Sequence, residues 1–194
     1  MGTSHSHSIR VFSEEELETY KDLTYLSEHE IRHAFDVFAS LNPHMTNAIV
    51  KDYHNIKLPK HTVLKLPQLR SNPFKDRILS VFSTSANQMM SFEDFLDMAS
   101  VFSARAPKSI KIEFAFRVYD FNEDDYLCRD DIRNVVKLLC GENAEMWEER
   151  SLERIVDKFF KEADIDNDNR LDFSEFENMM SKAPDFEKSF CFKL

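Results

Sequence analysis

The chain has 194 residues, 42 % of them apolar and 31 % charged, a size that suits one domain or two small lobes around a sizeable core. It holds only two glycines, Gly2 and Gly141, so a Walker loop, a dinucleotide fingerprint and a nucleophile elbow, which all need glycines at fixed spacing, cannot be built. The net charge of −10 is uneven: residues 1–110 carry 12 Lys/Arg against 13 Asp/Glu, residues 111–194 carry 13 against 22. An acidic second half excludes a nucleic-acid footprint, which needs a basic stripe, and fits a segment that attracts cations. Three cysteines, Cys128, Cys140 and Cys191, form no C-x-x-C pair, which points to a reducing compartment rather than a disulfide framework. The N-terminus has no apolar run and no stretch is long and apolar enough to span a bilayer, so neither a signal peptide nor a membrane helix is expected.

The elements read as helices joined by polar loops. Ser13 with Glu16, and Ser27 with Glu30, predict capping boxes: each Ser hydroxyl takes a free backbone N–H and each Glu reaches back. The second box opens a helix with the apolar face Ile31, Ala34, Phe35 and Phe38, ended by Asn42-Pro43. Residues 42–73 hold four of the six prolines and predict an irregular connection with one short helix near 60–66. A helix from Pro73 to Phe82 follows, then one capped by Ser91 with the face Phe92, Phe95, Leu96, Ala99 and Phe102, broken at Ala106-Pro107. The second half repeats a unit: helix 109–119, an acidic loop from Asp120, helix 130–140, then helix 149–163, an acidic loop from Asp164 and helix 173–182.

The two loops carry the chemistry. A hard divalent cation takes about 6–8 oxygens, and a twelve-residue loop wraps them around one point. In the loop Asp164–Glu175, Asp164, Asp166 and Asp168 stand at positions 1, 3 and 5, Arg170 offers its carbonyl at 7, Asp172 acts through water at 9, and Glu175 offers two oxygens at 12. Position 6, where a left-handed backbone favours Gly, is Asn169, the best substitute. In the loop Asp120–Asp131 the candidate ligands are Asp120, Asn122, Asp124, the Tyr126 carbonyl and Asp131, with Asp125 at position 6. Asp131 is one methylene shorter than Glu, which moves this site towards six-coordinate geometry and Mg²⁺. Leu127 and Leu171, at position 8 of the two loops, predict a short strand pairing. Ser83–Asp94 keeps the register but has Ser, Ser and Asn at positions 1, 3 and 5, so a structural hand without metal is expected, with residues 28–66 as a further degenerate hand.

Both ends of the chain bear signals. Met1-Gly2-Thr3-Ser4-His5-Ser6 fits N-myristoylation at Gly2, and one such chain gives weak membrane contact. The tail 184–194 holds Phe186, Phe190, Phe192 and Leu194, with Phe186 and Phe190 on one helical face. Either it packs permanently into the core or it fills a groove that a partner helix can take.

Leu66–Ile78, Phe92–Met98, Ala115–Phe121 and Ala183–Phe186, taken with the two loops, resemble the calcium- and integrin-binding protein (calmyrin) family over nearly the whole chain. The resemblance implies four EF-hands, of which only the last two bind metal, and Asp at position 12 of the third. It also implies an adaptor for helical cytoplasmic segments of integrin α-subunits, of transmembrane channel-like proteins and of some kinases, with N-myristoylation known in the family.

The expectation is therefore an all-α, two-lobe EF-hand protein. Residues 1–12 would be a flexible N-terminus, 13–106 a lobe without metal, 107–183 a lobe binding Ca²⁺ and Mg²⁺, and 184–194 the tail. It would act as a cytoplasmic adaptor, peripheral at the plasma membrane, and not as an enzyme, because its carboxylates are taken up by metal loops and no nucleophile–base motif is present. An apolar groove for the partner helix is expected among Phe95, Met98, Phe102, Val135, Leu138, Leu139, Ile155, Phe159 and Met179. The rival readings are a regulatory subunit of a kinase or phosphatase, whose EF-hands clasp a catalytic-subunit helix, and a plain metal buffer.

Overall fold

The structure is a computed structural model that describes residues 11–42, 50–84, 89–141 and 148–192, with residues 50–52 and 189 described by backbone alone. Gly2 and its motif, Pro43, Ser85–Gln88 and Leu194 lie outside the described residues.

Helix α1 (Glu14–Leu23) and helix α2 (Glu28–Ser40) begin at the two expected capping boxes. Ser13 Oγ accepts the Glu16 N–H at 3.1 Å, and Glu16 accepts the Ser13 N–H. Ile31, Ala34, Phe35 and Phe38 are the buried face of α2. The proline-rich connection is more structured than its composition suggests. It holds a 3₁₀ helix (Val50–Asn55), strand β1 (Lys57–Pro59) and the one-turn helices α3 (Lys60–Val63) and α4 (Pro67–Arg70). Helix α5 (Lys75–Phe82) starts two residues after Pro73, not on it.

Strand β2 (Met89–Ser91) leads into helix α6 (Phe92–Val101), capped by Ser91 as expected. α6 stops at Val101, well short of Ala106-Pro107; Pro107 instead stands at the N-cap of helix α7 (Lys108–Tyr119). Strand β3 (Leu127–Cys128), helix α8 (Arg129–Cys140), helix α9 (Glu149–Ala163), strand β4 (Arg170–Leu171) and helix α10 (Phe173–Ser181) complete the repeat. The one-turn helix α11 (Phe186–Ser189) lies in the tail.

The strands pair the hands in twos. Leu58 faces Met90 across β1 and β2, and Leu127 faces Leu171 across β3 and β4, both antiparallel. All four side chains are buried, which is why position 8 is apolar in every hand. The first pairing makes residues 28–63 the sister of Ser83–Asp94.

Aromatic rings fill the core. Phe92 meets Phe12, Tyr20, Phe35, Phe38 and Tyr53, all at centroid distances below 6 Å. Phe12 is only 4 % exposed, so residue 12 belongs to the core and not to the flexible N-terminus expected over 1–12. Phe82 stacks on Phe114 at 4.6 Å and Phe74 meets Tyr119, joining α5 to α7. The expected groove residues are largely core: Phe95, Met98, Phe102 and Val135 are buried, and Leu138, Ile155, Phe159 and Met179 are half-buried. Leu139 instead faces solvent, 64 % exposed. The sequence periodicity marked apolar faces without saying what covers each.

A ring of polar groups ties α1 to this core. His54 Nε2 reaches Glu16 at 3.1 Å and Nδ1 reaches Glu93 at 2.8 Å, while Tyr53 donates to Glu16 and Tyr20 to Glu93. Only an imidazolium donates to both carboxylates. The hydrogen bond to Glu93 leads in raising the His54 pKa above its ordinary 6.5, against burial, while hydrogen bonds from Ser13 hold Glu16 at about 2. The His54 contribution to stability is therefore complete below pH 6.5 and is lost as pH rises through the raised value. The Glu16 contribution is present above pH 4.5 and is lost as pH falls towards 2. His54→Gln should lower the melting temperature more at pH 6 than at pH 8; an equal deficit at both pH values would contradict this.

Candidate metal centres

Each acidic loop is held between two helices by its own backbone. Positions 4 and 6 are left-handed in both: Glu123 and Asp125 have φ of 59° and 65°, Asn167 and Asn169 of 63° and 65°. Non-glycine residues tolerate this conformation at a small cost, Asn and Asp best. Position 6 was foreseen from the missing glycine; position 4 carried no comparable signal. The turns aim backbone N–H groups inward. In the last loop Asp164 accepts from Asp168 N at 3.2 Å and Asn169 N at 3.0 Å, and Asp168 accepts from Arg170 N at 2.8 Å.

This folding brings Asp164, Asp166 and Asp168 together, each offering a carboxylate oxygen within 4.8 Å of the others. Glu175 closes the loop: one oxygen takes Ile165 N at 2.7 Å and the other takes Asp172 N at 3.2 Å. Asp172 accepts the Glu175 N–H in return, so position 9 serves as the N-cap of α10. Loop positions 9 and 12 are thus the N-cap and N3 of the exiting helix, and the closing acid doubles as half of a capping box. The Arg170 carbonyl falls within β4. Three gathered carboxylates, with Glu175 closing the loop, supply hard oxygen donors of the kind a divalent cation takes, and these residues fit one.

The third loop is held by backbone N–H groups in the same way, but among the described residues its carboxylates do not gather as Asp164, Asp166 and Asp168 do. Asp120 accepts from Glu123 N, Asp124 N and Asp125 N; burial pushes its carboxyl up and these three bonds oppose the shift. Asn122 donates to Asp124, which also accepts from Tyr126 N. Asp131 is 2 % exposed and accepts from Phe121 N at 3.0 Å, Cys128 N at 2.9 Å and the Cys128 thiol at 2.8 Å. Its short side chain keeps it against the backbone. Arg129 and Arg133 then bind α8 to α9 through Glu153, with Asp157 and Asp130 as further partners.

In the Ser83–Asp94 loop the closing acid is satisfied by neutral groups. Asp94 accepts from the Thr84 hydroxyl at 2.9 Å and Ser91 N at 2.9 Å. Positions 3 and 5, Ser85 and Asn87, lie outside the described residues.

Two residues of consequence gave no motif. Arg77, on α5, donates to the carbonyls of Arg117, Val118 and Asp120 and to the Glu123 carboxylate, clamping the end of α7 where the third loop begins. Lys111, on α7, is buried. Its spacing from Lys108, Ile112 and Ala115 places it on the inner face of the helix, and that is the signal which could have marked it.

The family model of the EF-hand domain pair matches residues 110–181, which is the span of both loops and their helices. Calcium and integrin-binding family member 2 of Danio rerio is 38 % identical over 183 residues, covering 93 % of this chain and 95 % of that protein. The chain belongs to the calcium and integrin-binding family. The Homo sapiens family members 2 and 3 are 37 % and 39 % identical, each again covering 93 % of this chain and 95 % of its own length. The all-α hand architecture agrees with this membership, its only strands among the described residues being the two short pairs.

Proposed function

We propose that this family member is a calcium-responsive adaptor which holds an amphipathic helix from the cytoplasmic segment of a membrane protein. The observation that carries the reading is the position of the tail. Phe186 and Phe190 are buried, and Phe190 and Phe192 both stack on Phe102, at 4.6 and 4.5 Å. A cavity of about 270 Å³ opens beside Phe192, between Leu26, His29, His33, Ala99 and Ser103. The tail is thus a short helical segment laid in an apolar seat that continues past it, as expected where a longer helix can replace it.

Two helices that touch the tail region lead to the two loops. α7 runs directly into Asp120, α10 starts inside the last loop, and the two helices pack together. Lys108 of α7 donates to the Ser181 and Ala183 carbonyls at the end of α10. A change in the last loop therefore reaches the tail along the nine residues of α10, and one in the third loop along the twelve residues of α7, about two and a half and three and a third helical turns.

Integrin binding stands in the names of the relatives, which makes an integrin α cytoplasmic segment the first probe. A helix of a transmembrane channel-like protein, or of a kinase, has the same amphipathic chemistry. The reading places the chain at the cytoplasmic face of the plasma membrane, with Gly2 myristoylation adding weak contact, and gives it no catalysis of its own. The divalent ions are Ca²⁺ in the last loop and Ca²⁺ or Mg²⁺ in the third.

Titration calorimetry of an integrin α tail peptide into the full chain, with and without Ca²⁺, tests the reading. Tighter binding with Ca²⁺ is the expected result. Equal binding would remove metal control, and no binding in either case would remove the groove. Asp131→Glu should raise the preference of the third loop for Ca²⁺ over Mg²⁺, because the added methylene restores bidentate reach. Unchanged selectivity in paired Ca²⁺ and Mg²⁺ titrations would sink that argument.

A further inference from the structure

Among the described residues, Lys111 has no counter-ion in its hydrogen-bond shell. It is 2 % exposed, and its ammonium donates to three carbonyls: Val101 at 3.1 Å, Ser103 at 2.8 Å and Phe190 at 2.8 Å. An ammonium has three N–H donors, so the set is full and Phe190 supplies its last member. Val101 ends α6, Ser103 follows it, and Phe190 closes α11, so the charge sits between the negative ends of two helices. Burial pulls the lysine pKa below its ordinary value. Glu187 and Cys191, both in the tail, favour the charged form but do not bond to it.

Two of the three acceptors belong to the seat and stay in place. The third belongs to the tail and departs with it. When the tail leaves, a buried cation keeps one unpaired N–H, which costs more than leaving a neutral donor unpaired. Any helix that takes the tail's place must bring an oxygen to that point. A carboxylate does more than replace the lost carbonyl, because it brings a negative charge into hydrogen-bond contact, which none of the described tail residues does. A basic or apolar side chain at the same point leaves the cation unsatisfied and is rejected.

We propose that Lys111 is the specificity-determining residue of the helix seat, and that it selects partner helices presenting a carboxylate, from an Asp or Glu side chain or a free C-terminus, where the Phe190 carbonyl now lies. The proposal rests on the helix-binding reading above and deepens it. It also fixes direction. The apolar pair that replaces Phe186 and Phe190 must precede the carboxylate, so the partner runs with its C-terminal end towards Lys111.

The test uses the full-length chain, as wild type and with Phe190→Ala to loosen the resident tail. The probes are two synthetic peptides of residues 182–190, identical except that one ends in a free carboxylate at Phe190 and the other in an amide. Affinities are read by the shift of backbone amide resonances on titration. The carboxylate peptide should bind about tenfold tighter than the amide. Adding Lys111→Met should erase that ratio, and Lys111→Arg should retain it. Equal affinity of both peptides for the Lys111 chain would overturn the proposal and leave helix binding intact. Binding of neither peptide would overturn the seat itself, and the proposal with it. A ratio that persists in a folded Lys111→Met chain would assign the selection to another cation and would equally overturn it.

Discussion

Glu175→Gln abolishes Ca²⁺ binding at the last loop. The carboxylate spans the loop, from Ile165 and Asp166 at its start to Asp172 at its end. Gln keeps the length but removes the charge and one acceptor oxygen, and its amide N–H groups cannot accept from Asp172 N. Even residues that only support metal ligands are worth about 10–100-fold in affinity, so losing a two-oxygen ligand weakens binding by more than about 100-fold. In a calorimetric titration of the full chain, one of two binding events should vanish. The loop itself should persist, because Asp164 keeps its bonds from Asp168 and Asn169. Two undiminished events in the variant would show that Glu175 is only a helix cap.

Phe92→Ala produces the largest loss of stability. Phe92 is fully buried and its ring meets five others, from α1, α2 and the 3₁₀ helix as well as Phe12. Four of these rings also pack directly on one another, so the cavity cannot close by the shift of one helix. The cost should be about 3–5 kcal/mol, a large part of the roughly 5–15 kcal/mol that holds a domain together. Urea unfolding should show the midpoint fall sharply. A change below about 1 kcal/mol would mean that the aromatic cluster repacks freely, against its close-packed geometry.

These two residues were not equally visible in the sequence. Glu175 was legible because a metal loop is a local pattern: twelve consecutive residues specify it, and helix α9 with its loop falls at the boundaries read from periodicity and charge. The capping boxes at Ser13 and Ser27 and the cap at Ser91 were legible for the same reason. What escaped is non-local. β1 forms in a proline-rich stretch because Leu58 finds Met90, some thirty residues away in the chain. Phe12 is anchored by rings from four distant segments. Arg77 reads as an ordinary exposed helix residue until α7 ends beside it, and Lys111 as a solvated lysine until the tail covers it. The apolar faces of α2 and α6 were found, but periodicity cannot tell a face buried for good from one left for a partner.

The central claim is that the chain holds two divalent sites, both in its second half, and that the Ser83–Asp94 hand has none. Native mass spectrometry of the full-length chain in Ca²⁺ tests this most directly. The predicted result is a chain carrying two tightly bound ions, its formal charge rising from −10 to −6 as two double charges are added. Three or four tightly bound ions would contradict the account of the Asp94 loop, and none would contradict the account of both acidic loops.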